Sequence, residues 1–187
     1  TIYYCQDYEA GFGPLGTGYV RSEQAVASSR NIIVSTSLLY RFLKDKRLLT
    51  DSQHIWITTP KIEPVSVRPE KTRRLFFYFR PESFQSRNLP EILMGAAEQF
   101  CDKYTGYEIY MMGTIDTCYS YRINGNSIFV NSKVAKEEYV GLLSSCDLVV
   151  SMIYSAHPGV IAFQAAASGI PTVTNIFENR DAELLRS

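Results

Sequence analysis

Residues 148–174 read LVVSMIYSAHPGVIAFQAAASGIPTVT, and the order of residue types along them decides the fold. Leu148–Met152 is a short apolar run, the pattern of a buried strand. Small turn residues follow: Ser155, Ala156, His157, Pro158 and Gly159. Gly159–Ser168 then reads as a short Ala-rich helix, stopped by Gly169 and Pro171. Thr172–Thr174 is the next strand. Strand, tight turn, helix and strand, with strands apolar throughout, predict a parallel sheet covered by helices on both faces.

The pattern extends upstream. Leu75–Phe79 (LFFYF) predicts a buried strand. Leu89–Tyr104 places Leu89, Ile92, Leu93, Ala96, Ala97, Phe100, Cys101 and Tyr104 on one helical face. Asn88 with Glu91 resembles a capping box, and Pro90 falls in the tolerated first turn. Glu108–Met112, stopped by Gly113, and Ser127–Val130 are strands. Tyr139, Leu142, Leu143 and Cys146 mark a helix, with Glu137 and Glu138 in its positive first turn. Thr114–Asn126 is polar and irregular, so a loop or hairpin is expected where a helix would otherwise stand. Pro60–Pro69 (PKIEPVSVRP) reads as a linker or inter-domain strand. Before it, strands are expected at Ile2–Cys5, Ile32–Ser35 and His54–Thr58, and helices at Gly18–Ser28 and Leu38–Leu43. The division expected is 1–60 as part of one Rossmann-like unit and 61–187 as a second, truncated one. The sequence stops just after a helical pattern starts, so it is expected to be a piece of a longer chain.

Composition narrows the class. With 187 residues, 45% of them hydrophobic and 20% charged, the chain is neither a disordered tail nor a coiled coil or collagen-like fibre. Nineteen basic residues balance nineteen acidic ones, so a nucleic-acid partner is not expected. The longest apolar runs fall far below the roughly 18 residues of a membrane span. Cys5, Cys101, Cys118 and Cys146 form no C-x-x-C pair, so no zinc or redox motif is indicated and reduced structural thiols are expected. With no signal peptide recognised, the expected location is cytoplasmic.

Several residues could carry chemistry. The start of the helix after Gly159 offers free N–H groups and partial positive charge to a phosphate or diphosphate; an ordinary, tightly packed strand–helix turn would look the same. Arg80, directly after the LFFYF strand, and Arg87 could clamp a diphosphate, or be solvated surface arginines. His157 could contact phosphate or sugar, act as a general base, or bond to backbone. His54 reads as structural. Gln6, Asp7 and Glu9 border the glycine-rich stretch EAGFGPLGTG (Glu9–Gly18), where acids could do acid–base work or lie in an exposed turn. No P-loop, G-x-S-x-G or H-E-x-x-H occurs.

Taken as a set, LFFYFRPES…RN (Leu75–Asn88), EIYMMG (Glu108–Gly113), the Glu137–Met152 segment and SAHPGVIAFQAAASGIPTVTN (Ser155–Asn175) resemble the donor-binding half of GT-B glycosyltransferases. The likeness is to bacterial family-4-like enzymes of surface polysaccharide synthesis. The opening IYYCQDYEAGFGPLGTGYVRSEQA (Ile2–Ala25) looks like the last acceptor-side segment of rhamnosyltransferase-like members. The resemblance implies that Arg80 and Arg87 hold the diphosphate of a nucleotide-sugar. It also implies that Ser155, Pro158 and Gly159 with the following helix bind phosphate and sugar. Gly113 and Asn131–Ser132 would lie near the base, His157 and Arg80 would be catalytic, and Asp7 and Glu9 would face the acceptor. The family's two glutamates, with seven residues between them, fall here on Ala156 and Gln164; a neutral Gln164 suits a donor such as dTDP-rhamnose. The implied reaction is sugar transfer to a growing bacterial glycan, free or lipid-linked, with retention and without metal or cofactor. Membrane association would lie outside this stretch, at the inner face of the membrane. Two other readings stay open: a non-catalytic module of a larger polysaccharide synthase, and a nucleotide-sugar epimerase-like enzyme.

Overall fold

In the computed structural model, residues 1–68 and 70–181 are described. The helical pattern expected at the end of the sequence lies outside them. The described residues divide into two compact units: Thr1–Lys61 with Tyr154–Pro158 and 176–181, and Ile62–Ile153 with Gly159–Asn175.

The first unit holds a parallel sheet of β1 (Tyr3–Cys5), β2 (Asn31–Val34) and β3 (His54–Ile57), connected by α1 (Thr17–Ser28) and α2 (Ser37–Asp45). Thr36 caps α2, its hydroxyl accepting from the Leu39 N–H at 3.0 Å, which satisfies one of the orphan amides of a helix start. Leu39, Phe42 and Leu43 then fall on one face and pack with Val26, Ile32, Val34 and Cys5. The opposite sheet face carries Tyr4, Ile33 and Trp56 in register, with Tyr4 and Trp56 exposed.

The second unit is built on a six-stranded sheet of order β6-β7-β5-β4-β8-β9. Its strands are β4 (Arg74–Tyr78), β5 (Glu108–Thr114), β6 (Tyr119–Ile123), β7 (Asn126–Ser132), β8 (Leu148–Val150) and β9 (Thr172–Val173). All pairs are parallel except β6–β7, an antiparallel hairpin at the edge. On one face Leu75, Phe77, Ile109, Met111, Ile128 and Val130 pack against Leu93, Ala97 and Cys101 of α3 (Pro90–Lys103). On the other, Phe76, Met112 and Val149 pack against Leu143 of α4 (Lys136–Ser144) and Ala165 of α5 (Val160–Ala167). Helices on both faces of a parallel sheet are what the apolar strands required.

Two local expectations are corrected. Gly113 does not stop its strand. It lies inside β5 at φ +129°, where the register with β7 shifts between Met112 and Thr114. Asn88 does not cap α3: Leu89, in the left-handed region at φ 52°, precedes the helix, and the Asn88 amide donates back to the Gln85 carbonyl at 3.2 Å. Pro90 accounts for one part of this: a proline keeps the residue before it out of right-handed helical geometry. Part of the expected linker packs within the second unit. Val65 is buried, and its N–H donates to the Ser168 hydroxyl at 2.9 Å, while the Glu63 carbonyl accepts from Gln164 at 2.8 Å.

Candidate functional site

Arg80 follows β4 directly, at the carboxyl edge of the second unit's sheet. The Phe79 N–H still donates to the Met112 carbonyl at 2.8 Å, so the strand hands Arg80 to the rim in a fixed direction. Its stem lies over Gly113: a Cβ at that glycine would come within 2.9 Å of Arg80 Cδ. The glycine is therefore the space in which the arginine lies. Arg80 is buried. Its Nε donates to Glu82 Oε2 at 3.1 Å, and an Nη contacts the Tyr78 hydroxyl at 3.5 Å. Burial works against its charge, but Tyr78 and Glu82 outweigh it, and Arg80 is held above its ordinary pKa. Glu82 in turn takes the Ile115 N–H on its other oxygen at 2.7 Å. Burial pushes the Glu82 carboxyl up; hydrogen bonds from its own backbone, Arg80 and Ile115 outweigh this and leave it below the usual range.

Gly159 stands at the same edge, because β8, which precedes it, runs parallel and next to β4. It takes φ +73° immediately before α5, a geometry that favours glycine. Ser132, at the end of β7, is bound to Cys118: the thiol and the Ser132 hydroxyl meet at 3.4 Å, and the Ser132 N–H reaches the sulfur at 3.4 Å. Both contacts hold the exposed Cys118 thiol below its ordinary pKa. Arg87 lies in the 3-10 turn after Arg80 and donates to the Phe84 carbonyl at 3.4 Å. Gln164 is tied at both ends, its oxygen accepting from the Tyr139 hydroxyl at 2.9 Å and its NH2 donating to Glu63.

Other expected residues belong to the first unit. Asp7 is buried rather than in an exposed turn. Its Oδ1 accepts from the Ser155 hydroxyl, from the Tyr8 N–H at 2.8 Å and from the His157 N–H at 3.2 Å. The backbone N–H of His157 thus meets this acid. Arg180, fully buried, donates to the Pro158 carbonyl at 2.9 Å. Burial lowers its pKa, and the nearby Asp7 charge opposes that. This cluster fixes the 155–158 turn from both sides. Ala156 is buried in the same unit's core, and Glu9 is exposed in a 3-10 turn.

The fold places Arg80, Gly113, Ser132 and Gly159 at one sheet edge, and Asp7, Ser155, Pro158 and His157 in one cluster. Glu82, Tyr78 and Arg180 were not singled out from the sequence. The acid two residues after Arg80, in Arg80-Pro81-Glu82, was the available signal for the first. Among the described residues no group of three or more His, Cys, Asp or Glu could hold a metal ion. Nor is any described helix long and apolar enough to cross a membrane.

Two α/β units built on parallel sheets, one with a buried arginine fixed at its carboxyl edge, define a Rossmann-like class in which ligands are held beyond the strand ends. The chain belongs to the family described as WsaF, C-terminal domain, whose model matches residues 73–187. The crystal structure of TarM is similar over 92% of this chain, at 14% identity and a TM-score of 0.64. The chain spans 36% of the length of that TarM chain. No curated protein matches it. The TarM likeness bears on the fold alone: mixed α/β with helix-flanked parallel sheets, as the apolar strands predicted.

Proposed function

We propose that this chain is the donor-binding part of a GT-B glycosyltransferase that moves a sugar from a nucleotide-sugar to a growing bacterial surface glycan, with retention. Membership in the WsaF C-terminal domain family and the TarM-like fold support a glycosyltransferase role. The observation that carries the donor reading is Arg80: a buried, oriented guanidinium at the carboxyl edge of β4, one strand from the start of α5. In this reading Arg80 and the α5 amides neutralise the leaving diphosphate as its charge develops, and no metal or cofactor is needed. Arg87 adds a second cation, Gly113 and Ser132 flank the base, and Gln164 faces the donor. Ser155, Pro158 and His157 serve the sugar, and His157 handles a proton. Asp7 and Glu9 belong to the acceptor side. The donor is a dTDP- or UDP-linked hexose, rhamnose included, and the acceptor a glycan or lipid-linked glycan. The reaction takes place in the cytoplasm or at the inner face of the membrane.

One observation favours the second reading, a non-catalytic module: Gln164 stands at the acidic position, with both ends of its side chain engaged within the fold. Incubating the protein with dTDP-rhamnose or a UDP-hexose and an oligosaccharide acceptor separates the readings. The expected product is one sugar longer and keeps the donor's anomeric configuration, and Arg80→Ala lowers kcat/KM at least tenfold. Donor binding without transfer in either condition selects the module. Turnover of donor without acceptor selects an epimerase-like enzyme.

A further inference from the structure

We propose that a groove beside α4 in the second unit is a separate site for a neutral saccharide. The saccharide class rests on the glycosyltransferase reading; the groove itself does not. On the face covered by α4 and α5, the helices pack over β4 and β8. Toward the hairpin edge the same face carries Tyr110 and Phe129, stacked with ring centroids 5.0 Å apart and planes at 21°. Next to this pair lies a cavity of about 280 Å3, near the small end of the roughly 300–1,000 Å3 range of ligand pockets. Its floor includes Tyr110 and Met112, and Gly141 and Leu142 of α4 form a wall. It runs back to Arg74 and Ser145, toward the amino ends of the strands and away from Arg80.

The charge balance argues against a phosphate. The Arg74 guanidinium is bound to Glu108 at 2.8 Å, and the Tyr110 hydroxyl donates to the same carboxylate oxygen at 3.0 Å. Of the remaining lining charges, Arg68 and Glu138 are one of each sign, both exposed. With Arg74 neutralised by Glu108 behind the lining, the groove offers an anion no net positive charge. It suits a neutral polyhydroxylated ring, whose C–H face can lie on Tyr110, Met112 and Leu142. Arg68 can donate to its hydroxyls and Glu138 can accept.

Gly141 makes the test clean. A Cβ there would meet nothing within 4 Å, and replacing a glycine inside a helix favours the helix. Gly141→Phe therefore fills the groove without unfolding α4, and Gly141→Ala leaves it open. The experiment is an NMR titration of the 187-residue chain with maltose, cellobiose and diacetylchitobiose at millimolar concentration. The expected result is that at least one of them shifts amide signals of Tyr110, Met112 and Gly141. Affinity is kept in Gly141→Ala, falls at least tenfold in Gly141→Phe, and is unchanged by saturating dTDP or by Arg80→Ala. No shift at those residues with any of the three sugars overturns the proposal. So does unchanged binding by Gly141→Phe, or displacement by dTDP. Failure of the donor reading shows separately, as absence of dTDP and UDP binding with the groove shifts intact.

Discussion

Replacing Gly113 by alanine puts a methyl group where three atoms already stand: Arg80 Cδ at 2.9 Å, the Phe79 carbonyl oxygen at 3.1 Å and Tyr78 Cε2 at 3.2 Å. The backbone there, at φ +129°, is one that residues with a Cβ rarely adopt, at a cost of about 1–3 kcal/mol. The carbonyl is backbone of a residue whose N–H is bonded to Met112, and the ring is packed against the core, so neither yields easily. The arginine stem can move, but only by straining its bond to Glu82. Forcing atoms into a packed site adds about 1–3 kcal/mol. A total loss of about 2–6 kcal/mol is expected, which at a mid-range urea slope of about 2 kcal/mol/M lowers the midpoint by about 1–3 M. Urea unfolding followed by circular dichroism measures it. The same substitution at Gly95, inside α3 with nothing within 4 Å of its Cβ, should stabilise by about 0.5–1 kcal/mol. A Gly113→Ala protein within about 0.5 kcal/mol of wild type would refute the claim that this glycine makes room for Arg80.

Other outcomes follow from the same contacts. Glu82 is held below its ordinary pKa, so its contribution is present above the unfolded value of about 4.3 and fades as pH falls through the folded one. Glu82→Gln should flatten the acid limb of a stability–pH curve, and an unchanged limb would contradict the Arg80–Glu82–Ile115 bridge. Burial pushes the Cys5 and Cys146 thiols up to about 12, and Cys101 is buried as well, while Cys118 is exposed and lowered. A thiol reagent should label Cys118 alone in the folded protein; rapid native labelling of a second thiol would count against the packing. Arg180→Ala leaves the Pro158 carbonyl and Asp7 without their buried cation. It should cost about 3–5 kcal/mol, and a loss under about 1 kcal/mol in urea unfolding would contradict the clamp on the 155–158 turn.

The strand–helix–strand order was legible because its apolar runs are buried on both faces, as Phe76, Val149 and Ile109 are. The β6–β7 hairpin was half hidden. One face of β6 is polar, so Ser120 and Arg122 masked the inward alternation of Tyr121 and Ile123. Its turn was written in Asn124-Gly125, both at positive φ (48° and 77°), the commonest two-residue hairpin signal. Arg80 could be singled out because a cation interrupts an apolar strand end. The Asp7–Ser155 bond could not, since it joins positions 148 apart and neither flank carries a local pattern that names its partner. Arg180 was invisible for the same reason: arginines are rarely fully buried, and only the folded chain shows what holds this one.

The most direct measurement is a calorimetric titration of UDP and dTDP into the wild-type chain and Arg80→Ala. Loss of a charge-assisted contact is worth about 1.5–3 kcal/mol, so at least one nucleotide should bind wild type and bind the variant tenfold or more weakly. Absence of binding to wild type, or equal affinity for both proteins, would contradict a diphosphate site at the carboxyl edge of β4.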